Sequence, residues 1–109
     1  MEPLLVLTNL PDAASAEKLA HALIESRAAA CVNVLAPCRS IYRWEGRVET
    51  AAEIPLLIKT TRAAYPLVEE IVRVQHPYDV PELIAIPITQ GLPAYLDWLA
   101  TETDRHDEE

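Results

Sequence analysis

Within seven residues, HPYDVPE at 76–82, the chain sets an imidazole, a phenol and two carboxylates between two prolines. An imidazole with a carboxylate can ligate a divalent metal, and a phenol with a carboxylate can orient a small polar ligand. A residue before proline is pushed out of the α region, so His76 ends any helix that precedes it and Val80 is extended. Pro77 seeds a turn over Tyr78 and Asp79. The loop is rigid by construction, and a rigid loop presents its groups to a guest at little ordering cost. The plainer alternative is that the prolines only steer a helix into a strand while Tyr78 and Glu82 satisfy buried backbone groups. The spacing of His76, Asp79 and Glu82 lacks the i, i+4 geometry of a helical metal site.

Other chemistry-bearing residues are few. Cys31 and Cys38 are separated by six residues, which matches neither a redox pair nor a zinc knuckle, so two free thiols are expected. Cys31 with His76 would suit a hydrolase or transferase, because an imidazole can generate the attacking thiolate; the competing reading is an inert strand cysteine. Lys59 is an ammonium beside Leu57 and Ile58 in an apolar segment, where its stem can lie on apolar surface with its head in water. Gly46 and Gly91 stand alone, so no phosphate cradle is formed.

Composition excludes further classes. Nine Lys and Arg against seventeen Asp and Glu leave a formal charge of −8, which repels nucleic-acid backbones and favours cationic guests. The segments LLVLTNL and EIPLLIKT carry no aromatics for base stacking. No run of about 18 apolar residues spans a membrane and no basic leader precedes an apolar run, so a soluble, cytoplasmic protein is expected. With 109 residues, half of them hydrophobic and none of them Phe, one domain with an aliphatic core is expected over 1–103, followed by a solvated acidic tail at 104–109.

The elements that must position the loop emerge from periodicity. LLVLTNL reads as a strand ended by Pro11, with Asp12 or Ser15 capping the next segment. Ala16, Leu19, Ala20, Leu23 and Ile24 repeat at helical spacing, as do Ala64, Leu67, Val68, Ile71 and Val72, and again Leu92, Tyr95, Leu96, Leu99 and Ala100. Residues 31–45 read as extended, with Pro37 marking a bulge or edge and Gly46 a hairpin turn. A return strand places Ile54, Leu56 and Ile58 on one side and Glu53, Pro55, Leu57 and Lys59 on the other, and ELIAIPI comes after the armed loop as a fourth strand. The order predicts an α+β fold, a ferredoxin-like βαββαβ sandwich with a C-terminal helix and a long hairpin between its second and third strands. Extended, residues 31–45 would reach roughly 50 Å against about 20 Å for an ordinary strand, so the hairpin should overhang and need a partner.

AACVN at 29–33, SIYRWEGRV at 40–48, EIPLLIKT at 53–60, HPYDVPELIAIPI at 76–88 and YLDWL at 95–99 closely resemble, in order, the CutA divalent-cation-tolerance family. The resemblance implies a tight homotrimer formed by pairing long hairpins across subunits, an architecture like that of PII-type signalling trimers, and a link to tolerance of copper and other divalent cations. It implies no enzymatic activity. Two departures stand out: Pro55 replaces the family's usual aliphatic residue and removes a ladder donor, and LLVLTNL supplies no thiol, which leaves Cys31, Cys38, Met1 and the histidines as soft copper ligands. On this basis Trp44, Lys59, Tyr78 and Glu82 are expected to bind a ligand at an intersubunit cleft, with His76 and Glu82 as metal ligands and Glu82 pairing with a cation or with Lys59. A purely structural trimer is the other reading.

Overall fold

The computed structural model of the chain describes residues 1–104; apart from Asp104, the tail expected at 104–109 lies outside the described residues. The elements are β1 (Pro3–Leu10), α1 (Ala13–Glu25), β2 (Cys31–Val34), β3 (Cys38–Trp44), β4 (Arg47–Thr61), α2 (Tyr65–Gln75), β5 (Ile84–Pro87) and α3 (Pro93–Glu102). They build an antiparallel sheet in the order β2-β4-β1-β5, with β3 pairing the remaining half of β4. This is the ferredoxin-like order. The expected second strand is divided into two, so the sheet has five strands where the sequence pattern indicated four.

The division is a bulge. Val34 pairs with Leu56 and Cys38 with Glu53, so four steps along one strand face three along the other. Pro55 sits opposite the extra residue, and its carbonyl accepts from Leu35 N at 3.0 Å. In an antiparallel ladder a residue's N–H and C=O point to the same side, so the donor Pro55 lacks falls where the ladder is already interrupted. The bulge also changes which residues share a side: Cys31 and Asn33 face the same way as Cys38, Ser40, Tyr42 and Trp44. Beyond it, Trp44 pairs with Arg47 across Glu45 and Gly46, at φ 49° and 79°. Two successive positive φ values make the tight primed turn that suits the twist of a hairpin.

The core lies between one face of the sheet and helices α1 and α2. β1 alternates strictly, burying Leu4, Val6, Thr8 and Leu10, and Ile54, Leu56 and Ile58 of β4 join them beneath Ala16, Leu19, Leu23, Val68 and Val72. Asp12 caps α1 by accepting from Ser15 N at 2.7 Å, and that bond above all holds the Asp12 carboxyl below its ordinary value. α2 ends at His76, extended at φ −73° and ψ 134°, as Pro77 requires. Thr8 is the flaw in the alternation: its Oγ1 is buried without a partner among the described residues. Thr8→Val is therefore expected to stabilise the fold by about 1 kcal/mol; a lowered melting temperature would show that the hydroxyl is satisfied.

α3 packs on the opposite face of the sheet. Tyr95 meets Cys31, which points away from the core, and the Arg27 guanidinium donates to the carbonyls of Thr101 and Glu102, both at 3.4 Å, at the end of α3. Only Leu99 of its expected apolar face is buried in the single chain; Leu92, Tyr95 and Trp98 are exposed. The hairpin is likewise uncovered. β1 ends at Leu10 opposite Ile54, so Cys38–Trp44 and the Arg47–Glu53 half of β4 form a two-stranded ribbon open along both edges. This overhang gives extents of 45 × 30 × 23 Å and a radius of gyration of 14.6 Å, against about 13 Å for a compact chain of this length. No described helix is long and apolar enough to cross a membrane.

Candidate functional site

The loop between α2 and β5 is fastened at both ends by one residue, Asn9, at the end of β1. The Asn9 carbonyl accepts from His76 Nε2 at 2.6 Å, and Asn9 Nδ2 donates to Glu82 Oε1 at 3.0 Å. His76 Nδ1 accepts from Tyr78 N at 3.1 Å. An acceptor Nδ1 carries no proton, so Nε2 carries it and donates to Asn9. His76 is 7% exposed and its ring centroid lies 4.8 Å from that of Tyr78. It pins the loop from behind.

In front of it, the hairpin and the loop enclose a cleft of about 620 Å³ lined by Ser40, Ile41, Tyr42, Trp44, Glu53, Tyr78, Asp79, Val80 and Glu82. The bulge and the primed turn aim Tyr42 and Trp44 from β3, β4 supplies Glu53, and the Asn9 clamp presents Tyr78 and Glu82. Tyr78 Oη donates to Glu53 Oε2 at 3.1 Å and closes the floor. Burial, and then this bond to a carboxylate, push the Tyr78 phenol up to about 12. The folded value lies above the ordinary 10, so the stabilisation is complete below pH 10 and is lost as pH rises towards 12. Tyrosinate absorbance should titrate one hydroxyl near pH 12 that Tyr78→Phe removes; persistence of that step in Tyr78→Phe would contradict the assignment.

The expected site is thus partly assembled. Trp44, Tyr78 and Glu82 converge, whereas Lys59 is elsewhere. Its ammonium donates to Asn33 Oδ1 and lies 4.0 Å from Cys31 Sγ, in a cluster with Tyr95. Lys59 is four residues along β4 from Pro55, the partner of Asn9, a separation of about 13 Å. Within one chain, then, Glu82 pairs with Asn9 and not with Lys59. The same separation keeps Cys31 from His76 within one chain. Sequence reasoning did not single out Asn9 or Glu53. The one available signal was an acidic residue heading the apolar run EIPLLI.

The residues of one chain do not fit direct coordination of a divalent metal. Both His76 nitrogens are engaged by the backbone, and no group of three or more His, Cys, Asp or Glu among the described residues converges on a point that an ion could occupy. Within one chain His76 holds the loop in position.

The family profile of the CutA1 divalent ion tolerance protein matches residues 4–102. The divalent-cation tolerance protein CutA of Thermus thermophilus is 48% identical over 98 residues, spanning 90% of this chain and 95% of that protein. Mouse protein CutA is 43% identical over 94 residues, 86% of this chain, which matches about half, 53%, of the mouse protein. A structure of the divalent cation tolerance protein from Thermus thermophilus superimposes with a TM-score of 0.92 at 46% identity, covering 94% of this chain and 99% of that one. The matched span takes in every element that builds the cleft, and the chain therefore belongs to the CutA1 divalent ion tolerance protein family.

Proposed function

We propose that the chain works as a homotrimer that binds a small ligand at clefts bordering the subunit contacts and serves a sensing or tolerance role toward divalent cations. The observation that carries this reading is the position of the cleft. Its walls are Tyr42, Trp44, Tyr78 and Glu82, and one of them is a hairpin whose apolar residues and open edges have no cover in a single chain. A two-stranded ribbon is marginal in water and its edges invite pairing, so assembly would stabilise the hairpin and fix Tyr42 and Trp44 opposite the rigid loop. The names of the relatives connect the family with divalent cations. For copper or another divalent ion to bind directly, a second chain would have to supply donors. A cytoplasmic home belongs to the same reading, supported by the free thiols Cys31 and Cys38.

Light scattering tests the assembly. A single species of three chain masses that persists at micromolar concentration is expected, and a stable folded monomer overturns the proposal.

A further inference from the structure

From the composition and burial of the cleft walls, we infer that its ligand is an organic cation, an alkylammonium or guanidinium compound, held by Glu53 and the faces of Tyr42, Trp44 and Tyr78. The inference rests on the cleft being the ligand site, and adds the chemical class of the guest that enters it.

The walls carry three carboxylates, Glu53, Asp79 and Glu82, and three aromatic rings, Tyr42, Trp44 and Tyr78, with no Lys, Arg or His. An anionic guest would meet three acids and no basic side chain. Glu53 is 8% exposed, yet it faces the cleft with one neutral donor, the Tyr78 hydroxyl, and no basic side chain pairs with it among the described residues. The Tyr78 hydroxyl meets one oxygen of this carboxylate, but no positive charge stands beside it. A guest bringing positive charge would supply that partner.

Two features separate an organic cation from a metal ion. The acids do not converge into a group able to hold an ion, and hard divalent ions require converging oxygens or keep their water. Aromatic faces, by contrast, attract weakly hydrated cations placed over the ring, with Trp the strongest partner. Half-exposed Trp44 and Tyr42 offer such faces, and about 620 Å³ is room for a guest far larger than a bare ion. The overall charge of −8 favours the approach of a cation.

Isothermal calorimetry on the assembled protein at low ionic strength provides the test. The probes are tetramethylammonium, butylammonium and guanidinium chlorides, tert-butanol as a neutral match, and zinc and magnesium chlorides. The organic cations should bind and tert-butanol should not. Glu53→Gln should weaken organic-cation binding tenfold or more with the assembly mass unchanged, and Trp44→Leu, at an exposed position, gives a second reading if Glu53→Gln fails to fold. Equal binding of tert-butanol, or binding of the metal ions alone, overturns the cation class while leaving the cleft as a ligand site. No heat from any probe with an intact assembly overturns both.

Discussion

Ile41→Asp combined with Val48→Asp is expected to convert the three-chain particle into folded monomers. In a single chain both residues are 65% exposed. Ile41 pairs with Thr50 and Arg43 with Val48, so Ile41 and Val48 are diagonal neighbours on one side of the ribbon. Neither contributes to the core under α1 and α2, so the substitutions remove little that a monomer uses. In an assembly that covers this side, two buried, unpaired carboxylates would cost several kcal/mol per chain, repeated at each symmetric contact. Light scattering should report one chain mass while circular dichroism keeps the sheet and helix signals. An unchanged three-chain mass would mean that this side of the hairpin lies outside the contact.

The second large effect is expected at His76. His76→Ala removes the bonds to Asn9 O and Tyr78 N and leaves both backbone groups without partners in a site that is nearly closed to water. Each such group costs about 1–3 kcal/mol, so a loss of about 2–6 kcal/mol is expected in denaturant unfolding at fixed protein concentration. Ligand affinity should fall only as far as the loop loosens. Unchanged stability with abolished binding would instead make His76 a ligand-contacting group, the role its neighbours in HPYDVPE suggest when the sequence is read alone.

That contrast shows what a sequence makes legible. Local rules were sufficient for the strict alternation of β1, the helical spacing of α1 and α2, the turn at Gly46, the bulge at Pro37 and the helix stop at His76, because each depends on residues a few positions apart. The site depends on distant pairs: Asn9 with His76 and Glu82 across the length of the chain, and Tyr78 with Glu53 across α2. No spacing rule reaches that far. Tyr78 and Glu82 are visible because the prolines rigidify their loop, and Trp44 through the resemblance carried by SIYRWEGRV. Lys59 stands out by its unusual place in an apolar strand, and within one chain it donates to Asn33 on the same face of the sheet. The spacing in α3 revealed an apolar face without revealing that a single chain leaves Leu92 and Tyr95 of it exposed.

A crystal structure of the assembled protein grown with tetramethylammonium is the most direct test of the claim that the hairpin and the HPYDVPE loop make a ligand cleft beside a subunit contact. The expected result is three chains about one axis, with Ile41 and Val48 buried between them and the cation seated among Trp44, Tyr78 and Glu53. A cleft filled by side chains of a neighbouring subunit, or a hairpin left facing solvent, contradicts it.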